Sequence, residues 1–185
     1  MGLAGNFAYG ILKLMAGFYY QSWWFVTLAG YYLLLCLMKV TLLVDFKASL
    51  KKQLARLKHV GITLLIMDVF LAGIIILIVS AHQVFYYYGY VIYLMAMYDF
   101  YLIVNAFVSF FKYRKNSEPV IFASKCINLT VAMISMISLE VAMIYTFGSN
   151  DTGLKTVMTL SMGFLAVIIN SIMAVSLIIR SDKNS

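Results

Sequence analysis

Six long apolar segments constrain this chain more than any other feature of its sequence. They hold about three quarters of the residues and run approximately over 3–20, 23–44, 60–80, 87–111, 120–147 and 154–179. Crossing a hydrocarbon core of roughly 30 Å takes about 20 helical residues, whereas the strands of a membrane barrel alternate over only about ten. Because a helix satisfies its own backbone hydrogen bonds in lipid, the segments predict an all-α fold, a polytopic transmembrane bundle of about six helices.

The composition supports this class and argues against several others. Hydrophobic residues make up 64% of the chain and charged residues 11%, against roughly 45–50% and 25% in soluble domains. The two cysteines lie far apart in sequence, unlike those of disulfide scaffolds or zinc ribbons. No HExxH, Gly-x-Ser-x-Gly or P-loop motif occurs. We therefore expect a membrane protein that is not an enzyme and that carries no cofactor or metal centre.

The distribution of basic residues predicts the orientation, because cytoplasmic loops retain Lys and Arg. Of the 14 basic residues, ten lie after the second segment, after the fourth segment or in the C-terminal tail. The three other connections contain only Lys155. The pattern predicts that both termini are cytoplasmic, together with two basic loops at 45–59 and 112–119.

These basic loops are candidate contact surfaces. Within the first loop, residues 46–59 are expected to form a short amphipathic helix at the inner membrane interface, with Leu50, Leu54 and Leu57 on one side. The expected partners are the lipid bilayer with its anionic headgroups and either a second copy of the chain or a membrane-complex partner. Nucleic acid is not expected, because the basic residues do not form a soluble basic surface. The candidate docking residues are Lys51, Lys52, Arg56, Lys112 and Arg114.

A weak internal repeat accompanies the helical pattern. A shift of 67 residues aligns the second and third segments with the fourth and fifth without a gap and places Tyr31 on Tyr98 and Lys58 on Lys125. Such a repeat is compatible with three tandem helical hairpins. On that scheme the first segment lacks its initial part, so a natural chain that begins earlier is expected.

Three stretches carry a resemblance to a known family. They are SWWFVTLAGYYLLL, YLMAMYDFYLIVNAFVSFFKYRK and INLTVAMISMISLEVAMI, all between about residues 22 and 143. Over this part, about two thirds of the chain, the sequence resembles an uncharacterised family of six-helix integral membrane proteins of Gram-positive bacteria. The resemblance implies a bacterial cytoplasmic membrane and an all-helical fold, and it assigns no function and no catalytic residue.

Ionisable residues inside the apolar segments are the strongest functional candidates, because an Asp or Lys at a helix centre costs about 2.5–3.5 kcal/mol even on mild scales. Lys13, Asp68 and Asp99 lie roughly 12–18 Å from the nearer predicted helix ends, a depth at which all three can meet near the midplane. Glu140 lies nearer the outer interface. Two interpretations stay open: a cation or proton site, or a buried Lys–Asp pair that fixes helix register while the other Asp is uncharged.

Uncharged polar residues extend this candidate site at helical spacing. A stripe on the fourth segment contains Tyr98, Tyr101, Asn105 and Ser109, and one on the sixth contains Gly163, Ala166, Asn170 and Ala174. Small residues at such spacing are also typical of close helix packing, for which a buried Asn serves as a hydrogen-bonding partner. Cavity lining and helix packing are thus both open.

Two function hypotheses follow. The first is a small transporter or channel-like permease for a cation or small solute, with a midplane polar cluster of Asp68, Asp99, Asn105 and Asn170. The alternative is a non-catalytic membrane subunit or binding component of a larger complex that docks through the cytoplasmic basic loops.

Overall fold

The computed structural model describes residues 3–19, 23–44, 49–81, 89–113, 118–147 and 152–183. Almost all of these residues are helical and none forms a strand. The helices are α1 (Leu3–Tyr19), α2 (Trp23–Val44), α3 (Leu50–Ala81), α4 (Gly89–Tyr113), α5 (Pro119–Phe147) and α6 (Thr152–Lys183). The predicted all-α bundle of six helices is confirmed.

Within the described ranges, four helices are long and apolar enough to cross a membrane. The spans are Val26–Val44, Leu50–Ile76, Pro119–Ile144 and Gly153–Lys183. Large apolar side chains also cover the outside of the bundle, among them Phe70, Phe100 and Phe164. An exposed apolar surface of this kind is stable in lipid and unfavourable in water. The chain is a helical membrane protein.

Helix α5 lies at the centre of the bundle. It contacts α2, α3, α4 and α6, and 83% of its apolar window is buried inside the protein. Small side chains make this possible, since Ala123, Ala132 and Ser135 are completely or almost completely buried and allow neighbouring backbones to approach. The other helices are therefore arranged around α5.

The most extensive helix pair joins α3 to α6, which are distant in sequence. Helix α1 packs chiefly on α2, and α4 packs chiefly on α5. Among the described residues, α3 thus packs more extensively on α6 than on its sequence neighbour α4. The reason is that α6 presents a row of small side chains to α3.

That row is the small-residue stripe of α6, all of which is buried: Gly163, Ala166, Asn170 and Ala174. A Cβ atom at Gly163 would lie 2.5 Å from Ile75 Cδ1 on α3. On the opposite side of the contact, a Cβ atom at Gly61 would lie 2.9 Å from the backbone oxygen of Ala174 and 2.8 Å from Ile178 Cγ1. Gly61, where a Cβ atom would meet a backbone oxygen, therefore allows the close approach of the two helices. Whether the stripe serves only packing or also lines a site stays open.

The first turns of α3 correct the prediction for residues 45–59. From Leu50 onward these residues belong to α3, a continuous helix of 32 residues, and they form neither a loop nor a separate interfacial helix; residues 45–48 lie outside the described ranges. Leu54 and Leu57 are buried, and the Ser181 hydroxyl donates a hydrogen bond of 2.8 Å to the Leu54 carbonyl. Leu50, the third leucine of the predicted stripe, is 61% exposed. Helix α6 continues to Lys183 rather than ending near 179, so its end lies beside the first turns of α3.

Candidate binding sites inside the bundle

One polar cluster joins α1, α4 and α5; we call Lys13, Asp99, Ser135 and Ser138 the Lys13 centre. The Lys13 Nζ atom donates a hydrogen bond of 2.9 Å to Ser138 Oγ, and Ser135 Oγ donates one of 2.8 Å to Asp99 Oδ1. Ser135 and Ser138 are three residues apart and so share one face of α5. The negative charge of Asp99 acts on Lys13. Both charged residues are buried, which makes this centre a desolvated pair of opposite charges.

A second cluster joins α2, α3 and α6; we call Tyr31, Asp68, Asn170 and Ser171 the Asp68 centre. The Ser171 hydroxyl donates a hydrogen bond of 3.1 Å to Asp68 Oδ2. Asn170 lies beside the same carboxylate, and Tyr31 is close enough for its hydroxyl to interact with the charge of Asp68. None of these neighbours is basic. In the part of the chain that the structure describes, the Asp68 carboxylate is therefore given no counter-charge like the one that Asp99 receives from Lys13.

Several polar atoms of the Asp68 centre lack hydrogen bonds to any described residue. They are Tyr31 Oη, Asp68 Oδ1 and Asn170 Oδ1, whereas the amide nitrogen of Asn170 is directed at the Asp68 carboxylate. The three residues are only 4%, 4% and 0% exposed, so bulk solvent does not reach them. A buried polar group without a partner costs about 1–3 kcal/mol, and such groups are rare in native proteins. With one unpartnered carboxylate oxygen and two unpartnered oxygen atoms beside it, the Asp68 centre is a candidate binding site.

The structure divides the predicted midplane cluster. Lys13 and Asp99 lie together in one centre, whereas Asp68 and Asn170 belong to the other, because the described part of α3 packs chiefly on α6. Asn105 lies in a third place, a small cleft between α4 and α5 with room for about one water molecule. The cleft is also lined by Ser109 and Asn128, and its lining includes neither Asp99 nor Asn170.

The remaining predicted site residues in the described helices are Tyr98, Tyr101 and Glu140. Tyr101 is 64% exposed and Tyr98 is 37% exposed, so their rings lie largely on the surface of the bundle, although Tyr98 is near enough to Asp99 for an electrostatic interaction. Glu140 is half-buried on α5, and its Oε2 atom has no hydrogen-bond partner among the described residues. Asn105, on the same predicted stripe, is half-buried and lines the cleft between α4 and α5.

Sequence reasoning missed a buried pair near the end of the bundle that is predicted to be cytoplasmic. Lys39 on α2 is buried and donates a hydrogen bond of 2.7 Å to Asn128 Oδ1 on α5. The signal was present, since Lys39 is a basic residue inside a predicted span. Ser171 and Tyr31 were also missed, and hydroxyl residues in an apolar helix give no comparable signal because they are common there.

The predicted docking residues lie at helix ends. Lys51 and Lys52 are exposed and Arg56 is half-buried on the first turns of α3, and Lys112 is exposed in the last turn of α4. Arg114 lies outside the described residues. An exposed ion pair of 2.9 Å between Lys58 and Asp182 joins α3 to α6 at the same end. Partner docking through this end stays a prediction.

Comparison with known proteins does not extend these observations. No family model, no curated protein and no solved structure matches the chain. The resemblance to six-helix proteins of Gram-positive bacteria stays a prediction, and the function is inferred from the geometry of the two polar centres.

Proposed function

We propose that this protein is a small transporter or permease that moves a cation or small solute through the membrane and binds it at the Asp68 centre. The observation that carries the proposal is a group of three buried oxygen atoms, those of Asp68 Oδ1, Asn170 Oδ1 and Tyr31 Oη, that have no hydrogen-bond partner among the described residues. Ionisable residues inside membrane helices are costly and typically mark ion or substrate pathways. The Asp68 centre also lies between helices from three parts of the chain, as binding sites in membrane bundles commonly do.

The Lys13 centre has a different part in this proposal. Asp99 faces the positive charge of Lys13 and accepts a hydrogen bond from Ser135. A carboxylate that is already compensated attracts a second cation weakly, because the two positive charges repel each other. The Lys13 centre therefore holds α1, α4 and α5 in register, and the Asp68 centre binds the transported species.

Flux through purified protein in proteoliposomes tests this function. Vesicles containing a sodium-sensitive, a potassium-sensitive or a pH-sensitive dye are given gradients of NaCl, KCl or protons, and their flux is compared with that of protein-free vesicles. We expect flux of at least one of these ions, and we expect Asp68→Asn to reduce it at least about tenfold, because removing the charge removes the main attraction for a cation. Asp182→Asn is the matched control, since it makes the same chemical change at an exposed carboxylate.

Two results would contradict the proposed function for cations. One is flux no greater than that of protein-free vesicles for all three ions. The other is flux through Asp68→Asn that equals flux through the unmodified protein and through Asp182→Asn. Equal amounts of each variant in the vesicle membrane, measured by quantitative immunoblot, exclude loss of insertion as the cause of a reduced signal.

A further inference from the structure

We infer that the Asp68 centre is a binding site for a monovalent alkali metal cation, coordinated by the side-chain oxygen atoms of Asp68, Asn170, Ser171 and Tyr31. This inference rests on the proposed function, because it names the chemical class that the same site takes. It concerns binding, however, and can be tested without any measurement of transport.

The donor atoms are those that hard cations prefer. A carboxylate, an amide carbonyl and two hydroxyl groups supply oxygen only, and oxygen ligands select alkali and alkaline-earth ions over transition metals. Asp68 Oδ1, the Asn170 oxygen and the Tyr31 hydroxyl make no hydrogen bond to a described residue, so their lone pairs are available. Ser171 donates its proton to Asp68 Oδ2 and thereby keeps its own lone pairs free for a cation.

The charge of the site favours a monovalent ion. Asp68 contributes one negative charge, and the neighbours that the structure places beside it are neutral. A monovalent cation brings the buried site to neutrality, whereas a divalent ion would leave one uncompensated positive charge in a medium of low dielectric constant, which is strongly unfavourable. An anion is excluded by the carboxylate itself.

The position of the site explains how a cation would affect the fold. Tyr31 lies on α2, Asp68 on α3, and Asn170 and Ser171 on α6. A bound ion would therefore link three helices and stabilise the folded bundle by mass action. Asn170 is completely buried in the contact with α3, so a ligand of several atoms would have to separate the most extensive helix pair of the bundle.

The test is thermal unfolding of the purified protein in detergent micelles, in NaCl, KCl or choline chloride at equal concentration. We expect the midpoint to be higher in one alkali salt than in choline chloride by on the order of 5 °C near saturation, and we expect this difference to disappear in Asp68→Asn. Asp182→Asn again serves as the matched control and keeps the full difference. Equal midpoints in all three salts for the unmodified protein would overturn the inference, as would an undiminished difference in Asp68→Asn.

Tyr31→Phe keeps the test decisive if Asp68→Asn does not fold. If the Tyr31 hydroxyl is buried without a partner and does not touch the ion, its removal changes stability equally in all three salts. The half-saturating salt concentration is then unchanged. A hydroxyl that coordinates the ion would, when removed, raise the half-saturating salt concentration roughly tenfold. An unchanged half-saturating concentration would overturn the part of Tyr31 in the site.

Binding and transport can fail separately. A salt-dependent midpoint that is lost in Asp68→Asn, without flux in vesicles, retains the cation site and removes the transport function. Asp68-dependent flux of protons alone, with equal midpoints in the three salts, retains transport and overturns the alkali metal site.

Discussion

Replacing Gly61 by alanine is the sharpest perturbation of the α3–α6 contact. The added methyl group would lie 2.9 Å from the Ala174 backbone oxygen, 2.8 Å from Ile178 Cγ1 and 3.4 Å from Leu177 Cβ. Ordinary contact begins near 3.4 Å, so the two helices must separate by about half an ångström. The backbone oxygen cannot move aside as a flexible side chain can. Overpacking of this kind costs about 1–3 kcal/mol.

Gly73 provides a matched control in the same helix, because a Cβ atom there meets nothing within 4 Å. Alanine favours the helix over glycine by about 0.8–1 kcal/mol in water, and this gain is common to both substitutions. The difference in free energy of unfolding between Gly61→Ala and Gly73→Ala therefore isolates the packing effect. We expect Gly61→Ala to be less stable by about 1–3 kcal/mol.

Equilibrium unfolding in mixed micelles, with an increasing mole fraction of sodium dodecyl sulfate, measures this difference through the loss of helical circular dichroism. If the two variants unfold within about 0.5 kcal/mol of each other, a typical limit for substitutions without special contacts, the close approach of α3 to α6 at Gly61 is refuted.

Two further substitutions are tested by the same unfolding titration. Gly163→Ala should destabilise the protein because its methyl group meets Ile75 Cδ1 at 2.5 Å and Ile75 Cγ1 and Cγ2 at 3.1 Å. Ile75→Val removes only Cδ1 and should recover part of the loss; a double variant no better than Gly163→Ala would contradict the contact. Lys13→Met should cost about 3–5 kcal/mol by leaving Asp99 buried without its counter-charge. Adding Asp99→Asn should restore most of that stability, and failure to do so would show that the two charges are not coupled.

The helices could be predicted from the sequence because lipid imposes one strong requirement, a run of about 20 apolar residues. The bounds of α2 agree with the prediction at both ends. The same requirement led to the wrong start of α3, because the basic residues at 50–59 were taken to lie outside the apolar span and hence outside the helix. A helix can continue beyond the hydrocarbon when its apolar side chains are buried against the protein, as Leu54 and Leu57 are, and Ser181 of α6 hydrogen-bonds to the Leu54 carbonyl at this end.

The sequence indicated which buried polar residues are candidates, but it did not indicate which of them lie next to each other. Depth alone suggested that Lys13, Asp68 and Asp99 meet, and depth is all that position along a helix provides. Which helices are neighbours depends on packing between distant segments, and nothing in the local pattern of α3 indicates α6. The division into two centres, with Asp99 beside Lys13 and Asp68 beside Asn170, therefore became visible only in the structure.

The different burial of the helices determines how the bilayer acts on the protein. Only 39% of the apolar window of α3 and 33% of that of α6 are buried, against 83% for α5. Hydrophobic mismatch acts on the surfaces that lipid touches and is relieved by tilting, so a thicker or thinner membrane pulls on α3 and α6 while α5 stays fixed among its neighbours. Asp68 and Asn170 lie on those two lipid-facing helices. We therefore expect a change in membrane thickness to change the spacing of these two side chains.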